Sequence, residues 1–145
     1  MKVNLEINKT ELLMNQDKRK TIVLIDDSST NNFLHKSILT EEGYNVVTFS
    51  SAAMALTKLS TIIPDLIIVD LLMPGMDGFR FMERKNLIKA LTQVPVVVLT
   101  SKLSSESEHK AYTLGATAYL VKPLSISDFK DKINMVMQKQ NLLKV

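Results

Sequence analysis

Five residues of this 145-residue chain stand where a short apolar run gives way to polar chain. They are the doublet Asp26-Asp27 after Thr21–Ile25, Asp70 after Leu66–Val69, Thr100 after Val96–Leu99, and Lys122 after Ala118–Val121. Carboxylates gathered in one place repel one another at neutral pH, so something must compensate. Mg2+ does this well, because it takes oxygen ligands, accepts one or two carboxylates and keeps several waters. Phosphoryl transfer needs an in-line acceptor oxygen and positive charge around the equatorial oxygens, with little other covalent work. Asp70, Mg2+, Lys122 and Thr100 offer those roles as nucleophile, cation, counter-charge and hydroxyl donor. A single Asp after a strand is more simply a helix or turn cap. Lys122 alone would pass as a surface lysine, and Thr100 as an ordinary strand-end residue. Their joint placement carries the inference.

The elements that must bring these residues together are legible from periodicity. Five apolar runs, Thr21–Ile25, Asn45–Phe49, Leu66–Val69, Val96–Leu99 and Ala118–Val121, are continuous rather than alternating, as in parallel strands covered on both faces. Helical spacing fills the gaps: Thr30–Glu42 with Leu34, Ile38 and Leu39 on one face, Ser51–Leu59, Gly78 to about Leu91, Ser105–Leu114, and Ser127 to about Gln140. Gly43 and Gly115 are C-terminal cap candidates. Strand–helix alternation with right-handed crossovers predicts an α/β fold. The expected architecture is a doubly wound, flavodoxin-like parallel sheet of five strands in the order 2-1-3-4-5. Its switch point lies between the first and third strands, where ligands bind beyond the carboxyl ends. Asp26-Asp27 and Asp70 follow those two strands directly.

Composition narrows the class. The 46% apolar and 23% charged content is that of an ordinary globular domain. Without cysteine there are no disulfides, thiolate zinc sites or cysteine nucleophiles, which fits a reducing, cytoplasmic setting. The net charge of +3 comes with a single basic cluster, Lys18-Arg19-Lys20, read as a solvated lead-in rather than a nucleic-acid contact. No apolar stretch reaches the length of a membrane span, and polar residues interrupt the N-terminus, so neither membrane insertion nor a signal peptide is expected. The expected division is an N-terminal extension over 1–20, one domain over 21–141 and a short tail over 142–145. Residues 1–20 are open between a tail and an extra helix or strand, with Leu12, Leu13 and Met14 able to dock.

From about Lys20 to Gln140 the chain resembles the receiver domain of bacterial two-component response regulators. The resemblance rests on Asp26-Asp27, on the segment from Val69 to Gly78 with its Met73-Pro74 and Met76-Asp77-Gly78, on Leu99-Thr100-Ser101, and on Lys122-Pro123. It implies that Asp70 is the phosphoacceptor and that Asp27 and Asp70 ligate Mg2+, for which Mn2+ could substitute. Asp26 would act through a metal-bound water, and the backbone carbonyl of Leu72 would complete the ligands. Thr100 and Lys122 would bind phosphoryl oxygens, Tyr119 would be the aromatic switch beside Thr100, and the Lys122–Pro123 bond would be cis. A sensor histidine kinase or histidine phosphotransfer protein would supply the phosphoryl group. A downstream protein would read the fourth helix, fifth strand and fifth helix, or the group would be relayed onward. The chain ends soon after the last helix, so a stand-alone regulator without a DNA-binding output domain is expected, as monomer or phosphorylation-dependent dimer. It would assist its own phosphorylation and dephosphorylation without turning over a separate substrate. Leu72 and Lys102 border the path of the hydrolytic water, and leucine cannot orient a water, so a long-lived phosphoryl state is expected.

Three other readings fit less well. A dehalogenase-type phosphatase carries Asp-x-Asp after its first strand, whereas Asp26 and Asp27 are adjacent. A flavin carrier would bring its cofactor phosphate against two aspartates at Ser28-Ser29-Thr30. A degenerate receiver would have lost functional positions that are all filled here. His35 and His109, without metal-ligand companions at helical spacing, are expected to be exposed or half-exposed. Phe33, facing away from Leu34 and Ile38, is either an exposed docking contact or a partly buried aromatic.

Overall fold

Runs of Val, Ile and Leu between polar punctuation form five parallel strands, each followed by a helix. The computed structural model describes residues 19–143. In chain order it contains β1 (Thr21–Ile25), α1 (Ser29–Glu41), β2 (Asn45–Phe49), α2 (Ala52–Lys58), β3 (Leu66–Val69) and α3 (Gly78–Asn86). A 3-10 turn (Lys89–Leu91), β4 (Val96–Thr100), α4 (Ser105–Thr113), β5 (Ala118–Val121) and α5 (Ile126–Leu143) complete it. All four strand pairs are parallel and the order is β2-β1-β3-β4-β5, the doubly wound topology expected. The sequence readings that fall on residues 1–18 lie outside the described residues.

The two faces of the sheet divide the core in two. Odd positions of β1 and β3 (Val23, Ile25, Ile67, Val69), with Val96 and Val98 of β4, pack under α2, α3 and α4 with Ala55, Phe81 and Ala111. The alternate positions (Ile22, Leu24, Leu66, Ile68, Val97, Leu99, Leu120) pack under α1 and α5 with Ile38, Leu39, Phe129 and Ile133. This strict alternation follows from the two-residue period of a strand. Four helices start where a side-chain oxygen satisfies an orphan N–H of the first turn: Ser28 accepts from Asn31 N, Ser51 from Met54 N, Asp77 from Arg80 N and Ser104 from Ser107 N. Gly43 and Gly115 follow the ends of α1 and α4 with positive φ, as expected.

The structure corrects three element readings. α3 ends at Asn86 rather than near Leu91, because Ile88 turns extended and a 3-10 turn then drives Leu91 into the core. α5 runs to Leu143 rather than to about Gln140, since Asn141, Leu142 and Leu143 include no Gly or Pro to stop it. The inward stripe of α1 is Asn32, His35, Ile38 and Leu39, while Leu34 is 46% exposed. Asn32 donates from Nδ2 to the carbonyls of Asp26 (2.8 Å) and Phe49 (3.2 Å). Those bonds let an amide occupy a buried position that polarity alone would assign to solvent. Phe33 is 76% exposed, which decides between its two readings in favour of the surface.

Candidate functional site

Strand parity determines which strand-end side chains meet. The parallel ladder continues one residue past three strands: Asp26 N donates to Phe49 O, Asp70 N to Ile25 O, and Lys122 N to Thr100 O. Asp26, Asp70 and Lys122 therefore keep the alternation of their strands and share the parity of Leu24, Ile68 and Leu120, the face under α1 and α5. Asp27 and Thr100 take the opposite parity.

The contacts agree. Lys122 Nζ lies 3.1 Å from Asp26 Oδ2 and 3.0 Å from Asp70 Oδ2, with the two carboxylates 10% and 7% exposed. Asp26 Oδ1 also accepts from Ser28 N at 2.9 Å, and Asp70 Oδ1 from Leu72 N at 3.0 Å, so backbone amides fix both carboxylates before Lys122 bridges them. Burial alone would lower the Lys122 pKa. The hydrogen bond to Asp70 and the charges of Asp26 and Asp70 outweigh it and hold the ammonium above its ordinary 10.5. Two carboxylates on one ammonium leave one net negative charge in the buried cluster.

The remaining predicted residues stand at or near the ends of the same strands. Thr100 is fully buried, and its Oγ1 accepts from Lys102 N at 3.3 Å. Tyr119 is half-buried, and its hydroxyl donates to the Lys102 carbonyl at 2.6 Å. Burial, with the charges of Glu108 and Asp70 behind it, raises the Tyr119 pKa. The Lys122–Pro123 peptide is cis. Asp27 is exposed, and among the described residues no three His, Cys, Asp or Glu side chains converge in a metal-holding group. The expected convergence of three carboxylates is thus a buried pair, with the third on the opposite parity. The pair still suits a hard cation: its donors are all oxygen, it carries net negative charge, and Mg2+ needs only one or two carboxylates.

Sequence reasoning missed two contributors. Asn32 ties the first turn of α1 to the ends of β1 and β2. Gly78 starts α3 hard against the chain leaving β3, where an added Cβ would lie 2.5 Å from Asp70 O and 2.8 Å from Leu71 Cα. Both obstacles are backbone, so neither can swing away. Gly78→Ala is expected to cost about 2 kcal/mol by displacing the Asp70–Leu71 segment. Urea denaturation measures this, and an unchanged midpoint would refute it. The sequence displayed Gly78 only as one letter of a motif; its close approach exists only in three dimensions. His35, expected at least half-exposed, is only 9% exposed, because α5 covers it with Phe129 at 4.8 Å between ring centroids.

The sequence model described as the response regulator receiver domain matches residues 22–134. The chain belongs to that family. Among solved receiver structures, chemotaxis protein CheY4 of Vibrio cholerae is 29% identical with a TM-score of 0.78, over 81% of this chain and 98% of that one. A CheY-like receiver domain protein from Methanospirillum hungatei JF-1 is 27% identical with a TM-score of 0.80, over 86% and 98%. The probable transcriptional regulator ycf27 of Guillardia theta is 28% identical over 125 residues, 86% of this chain but 48% of that protein. The chain thus spans about half the length of that relative. No helix among the described residues is long and apolar enough to cross a membrane.

Proposed function

We propose that this receiver domain accepts a phosphoryl group on Asp70 and passes on the resulting change as a signal. The observation that carries the reading is the Asp26–Lys122–Asp70 cluster, in which a buried carboxylate is held beside an ammonium at the sheet edge. An Asp70 carboxylate oxygen attacks phosphorus, the new O–P bond forms as the donor's N–P or O–P bond breaks, and the leaving group departs with that electron pair. Lys122 turns from the carboxylates to the developing charge on the phosphoryl oxygens, and the Thr100 hydroxyl donates to another of them. Asp27, Asp70 and the Leu72 carbonyl would hold Mg2+ or Mn2+, with Asp26 acting through a bound water, and the cation would neutralise phosphoryl charge. Purified protein with acetyl phosphate is expected to gain one phosphate by mass in the presence of Mg2+ and none in excess chelator. Equal labelling in both would contradict this.

The donor is a sensor histidine kinase or histidine phosphotransfer protein, and the setting is cytoplasmic. For output, the half-buried Tyr119 joins the site to the α4–β5–α5 face. Its hydroxyl reaches Lys102, two residues after Thr100, and Tyr119 lines a groove of about 200 Å3 with Tyr112, Leu120, Met135 and Val136. A downstream protein reads that face, or the phosphoryl group moves onward to another histidine. Partially exposed Leu72 offers the acyl phosphate no side-chain group to orient a water. The labelled protein is expected to lose phosphate over minutes or longer, and a lifetime of seconds would count against this role for Leu72.

A further inference from the structure

Beside the acid pair lies a small space of about 10 Å3, roughly the room one water requires. Apolar strand side chains form half of its lining, and four polar residues form the rest: Asp26, Asp70, Asn32 and His35. Asn32 is buried, and both bonds of its Nδ2 go to carbonyls, which fixes the orientation of the amide. Its Oδ1 is the one buried side-chain nitrogen or oxygen among the described residues without a protein partner. A buried acceptor left in that condition is costly. One helical turn further on, the His35 ring is clamped by Phe129 of α5 at 4.8 Å and 39°, and no protein group among the described residues hydrogen-bonds it. Burial, then the charge of Lys122, lowers its pKa, with Asp26 opposing, so the ring carries one N–H and one lone pair at neutral pH.

We propose that this space holds one ordered water that donates to Asn32 Oδ1 and to one carboxylate oxygen of the Asp26–Asp70 pair and accepts from the His35 N–H, making His35 and Asn32 positioning residues for the phosphoacceptor. Three hydrogen bonds are the usual complement of a buried water, and each partner has unused capacity for one. The positioning role rests on the phosphoacceptor reading above; the hydration site does not. Lys122 anchors the carboxylates from one side only, and it must leave them to meet a phosphoryl group. The water, held by α1 and steadied through His35 by α5, keeps the pair in place when it does.

A high-resolution crystal structure of the wild-type protein tests the site. Density for one water within hydrogen-bond distance of both Asn32 Oδ1 and a His35 ring nitrogen is expected. A dry cavity, or a ring with both nitrogens turned away, overturns the proposal. His35→Leu and His35→Gln test the role, by the rate of phosphate uptake from acetyl phosphate across a Mg2+ titration. His35→Leu is expected to label about tenfold more slowly with a higher half-saturating Mg2+ concentration, and His35→Gln, which keeps a donor, at near the wild-type rate. His35→Leu labelling like wild type, or His35→Gln as slow as His35→Leu, would overturn the positioning role. Should His35→Leu not fold, the His35→Gln rate and the crystal density decide. Wild-type protein that takes no phosphate would instead remove the phosphoacceptor reading and the positioning role with it, leaving the hydration site to stand or fall on the density.

Discussion

Asp70→Asn is expected to give a folded protein that takes up phosphate from acetyl phosphate and Mg2+ at least about a thousandfold more slowly than wild type. The amide is nearly isosteric, and its Oδ1 can still accept from Leu72 N, the 3.0 Å bond that orients the native carboxylate. What disappears is the anionic oxygen that attacks phosphorus. Stability should move little, because two opposing effects accompany the loss of charge. Lys122 loses a partner at 3.0 Å, but Asp26 no longer shares its only buried cation with a second carboxylate. Thermal melts of both proteins beside the mass spectra separate the two results. Labelling of the variant at the wild-type rate would place the acceptor elsewhere.

Lys122→Met is expected to be the more damaging change to the fold. Methionine replaces the apolar stem but leaves Asp26 and Asp70 buried without a cation, and breaking a buried pair from one side costs about 3 kcal/mol. The variant should therefore gain more melting temperature from Mg2+ than wild type does, since an added cation now supplies missing charge. The pH dependence has a definite sign. The folded Lys122 pKa is raised above 10.5, so its stabilisation is fully present below 10.5 and is lost as pH rises through the raised value. Tyr44 and Tyr119, also raised, weaken the fold in the same alkaline direction, whereas Lys85, lowered by burial, works against it. The difference between wild type and Lys122→Met isolates the lysine, and should shrink as pH climbs beyond 10.5. A constant difference across that range, or a variant as stable as wild type at neutral pH, would contradict the bridge.

The legible parts of this molecule were those governed by local rules. Val96–Leu99 reads as a doubly covered strand because burial on both faces leaves no polar position in it. Gly43 and Gly115 read as helix ends because a left-handed cap needs a residue without a Cβ. Asp26, Asp70 and Lys122 read as neighbours once the strand order was inferred. Features that depend on exchange between elements were hidden. Asn32 and His35 look like solvent residues until the carbonyls of Asp26 and Phe49, and the ring of Phe129, are brought against them. Adjacency in sequence hides the alternation that leaves Asp26 buried and Asp27 exposed. The end of α3 depends on Leu91 finding a place in the core, which no local pattern records.

Reduction of the freshly phosphorylated protein with borohydride, which converts an acyl phosphate to an alcohol, locates the modified carboxylate directly. Trypsin would release Leu59–Arg80, which holds Asp65, Asp70 and Asp77, and Thr21–Lys36, which holds Asp26 and Asp27. Fragmentation is expected to show homoserine at position 70 and unchanged aspartate at the other four. Homoserine at Asp26 or Asp27, or phosphate that resists borohydride on a serine, threonine or histidine, would contradict the assignment of Asp70 as the phosphoacceptor.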